Sequence, residues 1–350
     1  MTAARWRGVE LACLVLGVAT LAGTVWAVGL ATLIQDLRLI GWWLPAILVV
    51  ESLGVGLNTV GWAFAFPKGE RTVDAGRLVA ARLAGDAINY LTPSATVGGE
   101  LLRVRLLRED VPANLRWASV TAAKVGQSVA QAVFILLGLA LVLPRFAGIP
   151  SWPGWSQSVT AAIAGVAALA AGSLFVRAVA RGFWATIRGA LDRARLGRLL
   201  PASWTGPGRD LDAVLARLGP WRTATSLGCF VLGWAVGAVE IYLILYCIGD
   251  AVDWRTALVL ETGSVLVDGI LFFVPAKVGT QEGGKVVLFA ALGLNPARGL
   301  TVGVVRRIRE LTYADLGLIA LGWLGARPSA AGALGLRLGD SAARGTTHRT

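Results

Sequence analysis

Residues 268–285 read DGILFFVPAKVGTQEGGK, and residues 86–103 read DAINYLTPSATVGGELLR. Each is an apolar run interrupted near its middle by proline, glycine and charge, which breaks a helix instead of continuing it. Asp86, Pro93 and Glu100 are spaced seven apart, as are Asp268, Pro275 and Glu282, so the offset is 268 − 86 = 182 in all three pairs. The same offset, without a gap, places Arg103 on Lys285, Lys124 on Arg306, Gln127 on Arg309, Ser128 on Glu310 and Gln131 on Tyr313. The chain is an internal duplication.

The surrounding composition sets the solvent. Of 350 residues, 55% are hydrophobic and only 15% charged, and the mean hydropathy is +0.66. Such a chain belongs in a bilayer. Its apolar runs are continuous and rich in Leu, Val, Ala and Gly, unlike the short alternating strands of a membrane barrel. The expected fold is all-α and polytopic, with six full spans plus two re-entrant or broken hairpins in an inverted repeat. The net charge of +12 falls in loops and at helix ends, so it reads as topology and not as a nucleic-acid surface. Cys13, Cys229 and Cys247 lie in apolar runs without a metal-ligand or disulfide pattern, and the one histidine is His348 in the tail. No metal and no cofactor are expected.

The six runs are Leu11–Ile34, Trp42–Phe66, Trp117–Leu143, Val159–Val179, Thr225–Ile248 and Leu300–Leu324. Leu11–Ile34 is too long for a cleaved leader and reads as a retained span. Lysine and arginine cluster before the first run, after the second, from Arg177 to Arg222 and after the last. Six crossings put all four groups on one face, so both termini are expected in the cytoplasm of a plasma (inner) membrane protein. Residues 1–150 form the first repeat and 151–325 the second. Within the second, a basic segment over 180–222 is expected either as one or two surface helices or as a solvated linker. Residues 326–350 read as a disordered tail.

Residues 124, 127, 128 and 131, like their counterparts 306, 309, 310 and 313, share one helical face. A polar stripe in lipid must face protein or water. The breaks at Pro93 and Pro275 free backbone groups that are tolerated only against protein or a water-filled cavity. Half-helices restarting near Gly98 and Gly99, or near Gly279, aim free N–H groups into such a cavity. Lys124, Arg306 and Arg309, with Glu310, are candidates to contact an anionic headgroup. Asp86 and Asp268 cap the hairpin turn, pair with Lys124 and Arg306, or couple and bind substrate; Glu100 and Glu282 either cap the restarted helices or serve function. Glu51, Glu240 and Glu261 show no identified repeat partner and read as structural.

The turn Pro275, Gly279 and Glu282, followed 306 − 282 = 24 residues later by Arg306 to Glu310, resembles the lysylphosphatidylglycerol synthase transmembrane, or flippase-like, family. Its first-half counterpart is Pro93, Gly99, Glu100 and Arg103. With Asn295 and Pro296, the wording is nearest the putative membrane proteins associated with hopanoid biosynthesis. The resemblance implies a non-enzymatic lipid flippase or transporter for a lipid with an anionic or polar headgroup or a hopanoid-type lipid. Its partners would be membrane lipid and lipid-biosynthesis enzymes. The alternatives are an intramembrane headgroup transferase using Glu282 or Asp268 as base, or an accessory scaffold. Ala123 and Lys124 stand where relatives often carry Glu-Arg.

Overall fold

The computed structural model describes residues 22, 26, 30–69, 73–91, 98–107, 111–142, 154–195, 205–270 and 279–325. These form α1 (Leu30–Ile40), α2 (Trp43–Phe64), α3 (Ala75–Leu91), α4 (Gly98–Leu106), α5 (Ala113–Val142), α6 (Gly154–Arg181), α7 (Phe183–Arg193), α8 (Thr205–Leu215), α9 (Gly219–Cys247), α10 (Trp254–Ile270), α11 (Thr280–Ala291) and α12 (Pro296–Gly325). No strand occurs among the described residues.

Four stretches are long and apolar enough to cross a membrane: Trp43–Phe64, Ala113–Ala140, Ala162–Arg181 and Gly219–Cys247. They match four of the six expected runs. Most of Leu11–Ile34 lies outside the described residues. The last run is covered by α12, which has the length to span, but Arg306, Arg307, Arg309 and Glu310 in its middle make it more polar than a plain span.

The duplication is visible in the helix boundaries. Shifted by 182, α4 begins where α11 begins, α5 matches α12 to within a residue at each end, and α2 falls inside α9. The apolar packing obeys the same shift. Phe66, Leu78, Leu107, Val120 and Ala123 belong to one buried cluster, and their counterparts Ile248, Leu260, Phe289, Val302 and Val305 belong to a second.

Helices α2 and α9 run antiparallel against each other. Arg222 at the start of α9 donates to the Phe66 and Ala63 carbonyls beyond and at the end of α2, the Ser226 hydroxyl donates 2.7 Å to the Gly61 carbonyl, and Gly233 faces Asn58. Close approach depends on small residues, as in membrane helix pairs. A Cβ on Gly61 would meet the Phe230 ring at 2.7 Å, so glycine makes the slot that Phe230 fills.

The halves also interlock through their hairpins. The first arm of each hairpin packs on the last helix of the other half: α3 on α12, with Gly317 against the Leu83 carbonyl, and α10 on α5, with Gly138 against Thr262. The basic segment forms two short helices, α7 and α8. The Asp212 carboxylate on α8 accepts the Trp184 and Ala185 amides at 2.7 and 2.9 Å and so caps the start of α7.

Candidate functional site

The polar stripe of α12 is the centre of the charged interior. Arg306 is buried, with Nε 2.9 Å from Glu240 in an ion pair, and its Nη2 donates hydrogen bonds to Glu261 and, at 2.9 Å, to the Gly237 carbonyl. Arg309 lies one turn further along the same face. Its Nη1 contacts Glu240 at 2.6 Å and Glu51 at 3.0 Å, so α2, α9 and α12 are joined through two guanidinium groups. Glycine permits this approach too, because a Cβ on Gly237 would stand 2.1 Å from the Glu261 carboxylate.

Arg307 joins the two hairpins. It lies 2.9 Å from Glu282 in the first turn of α11 and donates at 2.7 Å to the Tyr90 hydroxyl near the end of α3. Gln281 donates to Glu310 at 2.8 Å and to Asp268 at 3.3 Å, drawing the second hairpin onto the same stripe. Lys285, among the largest fully buried side chains, donates to the Gln281 carbonyl at 3.3 Å.

The first half builds a smaller network. Asp86 is held by Arg82 at 2.9 Å and by Arg103 at 2.5 Å; Arg103 also reaches Glu100, which accepts Lys124 at 3.1 Å. Asn89 closes the hairpin, accepting the Gly99 amide at 2.8 Å. The fit is tight: a Cβ on Gly99 would lie 2.1 Å from the Gly85 carbonyl.

Between the halves lies a cavity of about 170 Å³, walled by α2, α3 and α12. Its polar lining is Glu51, Asp86, Tyr90, Arg309, Glu310 and Tyr313, with Val55, Leu83, Ala87 and Ala314 as apolar wall. The Asp86 side chain is 45% exposed despite its two arginines, so one face stays open. The site thus combines an acid-rich chamber with apolar walls, at the junction of two repeats.

The expected site residues separate into three groups. Asp86, Arg309 and Glu310 meet at the cavity. Glu100 and Glu282 occupy first turns of restarted helices, as the dipole argument requires, and each also pairs with a cation. Pro93 and Pro275 lie outside the described residues; Gly98 begins α4, and Gly279, at φ +73°, precedes α11 in a conformation that favours glycine.

Two expected pairings are corrected. Asp86 takes Arg82 and Arg103 while Lys124 takes Glu100, and Arg306 takes Glu240 and Glu261 while Asp268 accepts from Gln281. The local reason is reach. Arg103 and Glu100 share a face of one short helix at i, i+3, and Asp86 lies across the hairpin from them. Glu51, Glu240 and Glu261, expected only as structural residues, are themselves the partners of Arg306 and Arg309. One signal for this was available: Glu240 falls 182 after Asn58, and Asn58 accepts from Gln127 at 3.1 Å just as Glu240 accepts from Arg309.

The fold and site define an all-helical membrane protein in which two hairpin-bearing repeats enclose a charged interior. The chain belongs to the family of the lysylphosphatidylglycerol synthase TM region, whose model matches residues 12–317. It is also similar to a UPF0104 membrane protein of Methanothermobacter thermautotrophicus, with 27% identity over 256 residues, covering 66% of this chain and 69% of the relative. No solved structure matches.

Proposed function

We propose that this protein is a non-enzymatic carrier that moves a polar-headed lipid between leaflets of the plasma membrane. The supporting observation is the cavity between α2, α3 and α12, whose polar lining would shield a headgroup while its apolar wall admits the chains or rings. In this reading the antiparallel α2 and α9 span the bilayer, the repeats are inverted, and the two broken hairpins enter from opposite faces with both termini cytoplasmic.

The lining refines the substrate. Among the described lining residues, three carboxylates, Glu51, Asp86 and Glu310, meet the chamber with one cation, Arg309, which already serves Glu51 and Glu240, while Arg82 and Arg103 hold Asp86 from outside the lining. An anionic headgroup would have to displace a carboxylate from Arg309. A headgroup presenting amine or hydroxyl donors would not, and it would find acceptors on three sides.

The test is reconstitution of purified protein into vesicles carrying fluorescent lipids with amine, phosphate or polyol headgroups, with leaflet transfer read by quenching from outside. Accelerated transfer of a donor-bearing lipid, reduced in Asp86→Asn, is expected. Transfer no faster than in protein-free vesicles for every lipid refutes the proposal.

A further inference from the structure

The charge count around Arg309 does not balance. Arg306 and Arg309 are contacted by Glu51, Glu240 and Glu261, three carboxylates for two guanidinium groups. Widening the circle does not help. Glu310 lies 3.8 Å from Arg309 and 3.7 Å from Arg307, Arg307 is taken by Glu282, and the buried Lys285 joins the cluster together with Asp268, which makes six carboxylates for four cations among the described residues. An excess anion beside the buried Glu240 and Glu261 carries a large desolvation cost, and a carboxylate relieves it most simply by taking up a proton.

A second observation locates the imbalance. Glu240 is 1% exposed and its Oε1 has no hydrogen-bond partner among the described residues, although its Oε2 serves both arginines. The other carboxylate on Arg309 Nη1 is Glu51, whose side chain is 30% exposed and lines the cavity. One member of the pair is therefore sealed in the protein and the other opens to the cavity. No three acidic side chains stand at metal-ligand spacing among the described residues, so a proton suits this geometry better than a metal ion.

We infer that the Glu51–Glu240 pair on Arg309 is a proton-binding site that exchanges with the cavity through Glu51, and that this proton is the coupling ion of the lipid movement proposed above. The coupling clause rests on that proposed function; the proton site does not. The groups facing Glu51 are Glu240 from α9, Arg306, Arg309 and Glu310 from α12, and, around the cavity, Asp86 and Tyr90 from α3 with Tyr313 from α12. Protonation adds one H⁺ from cavity water to one carboxylate oxygen of the pair and leaves Arg309 to the other carboxylate. Deprotonation returns it to whichever face the cavity then meets.

The experiment is pH-difference infrared spectroscopy of the full-length protein in lipid vesicles, followed in the same vesicles by transfer of a fluorescent amine-headed lipid under an imposed pH gradient. A protonated-carboxyl C=O band at neutral pH is expected in the wild type and in Asp250→Asn, and absent in Glu51→Gln. That isostere removes the excess charge while keeping the volume, and Glu240→Gln serves as a second variant should Glu51→Gln not be recovered. Absence of the band from the wild type, or its persistence in Glu51→Gln, overturns the proton site. Lipid transfer should change several-fold with the sign of the gradient in the wild type and be indifferent to it in Glu51→Gln. A wild-type rate indifferent to the gradient overturns coupling. With the band as expected but no lipid moved, carrier function and coupling fall together and the proton site stands.

Discussion

The two charge networks occupy equivalent places in a duplicated frame and solve the same burial problem differently. In the first half, Asp86 and Glu100 are met by Arg82, Arg103 and Lys124, all from α3, α4 and α5. In the second half the equivalent of Arg82 is Ser264, which spends its hydroxyl on the Leu260 carbonyl, and the stripe cations find their partners on α2, α9, α10 and α11 instead. One network is local and cation-rich; the other is spread over both halves and acid-rich. A locally closed network can hold its hairpin while the rest moves, whereas a spread one responds to any displacement between halves.

The largest expected effect tests that contrast directly. Arg306→Gln strips the cation from Glu261 and leaves Glu240 with Arg309 alone, so it should cost about 3 to 5 kcal/mol. Arg103→Gln leaves Asp86 with Arg82 and Glu100 with Lys124, and should cost about 1 to 3 kcal/mol. Thermal unfolding in mild detergent compares them. Equal losses would mean that the second network is no more dependent on a single cation than the first.

A second comparison concerns the interlocking helices. At Gly317 a Cβ would lie 2.3 Å from the Leu83 carbonyl, while at Gly138 it would lie 1.9, 2.4 and 2.6 Å from the Oγ1, Cγ2 and Cβ of Thr262, and rotation of that side chain leaves its Cβ in place. Gly317→Ala and Gly138→Ala should therefore each destabilise by about 1 to 3 kcal/mol. A drop in unfolding temperature for only one of them would show that this helix pairing is rigid and that the other gives way.

How far the sequence carried this picture follows from what a repeat encodes. Spacing alone located both hairpins, the restart points at Gly98 and Gly279, and the stripe at 306, 309, 310 and 313, because periodicity and helix breaking are local properties. It did not locate the partners. Glu51, Glu240 and Glu261 sit in ordinary apolar runs on α2, α9 and α10, and only the antiparallel packing of α2 on α9 and of α9 against α10 brings them to α12. Asn58 and Gln127 are the exception, since their match to Glu240 and Arg309 could have been found by extending the 182-residue shift one helix upstream.

That match yields a third prediction of intermediate size. The first half carries a neutral amide pair, Gln127 with Asn58, where the second carries the ion pair Arg309 with Glu240. Glu240→Asn or Arg309→Gln alone should each destabilise, and the double variant, which copies the first-half chemistry, should recover about 0.5 to 3 kcal/mol of the summed loss. Strict additivity would show that the two places are equivalent in backbone only.

The smallest effect expected is at the link between hairpins. Tyr90→Phe removes the hydroxyl that accepts from Arg307 while Arg307 keeps Glu282, so stability should fall by only about 0.5 to 1.5 kcal/mol. Its consequence should instead be geometric, because that hydroxyl is where α3 of the first hairpin meets the cation held by α11 of the second. Spin labels at the exposed positions Leu91 and Val287 should give a broader distance distribution in Tyr90→Phe than in the wild type. Asn89→Ala, one residue earlier, loosens only the internal closure of the first hairpin onto Gly99 and should lower stability while leaving the second hairpin's own label distances unchanged. An unaltered Leu91 to Val287 distribution in Tyr90→Phe would mean that packing of α3 on α12 alone holds the hairpins in register, and that Arg307 serves Glu282 without linking the halves.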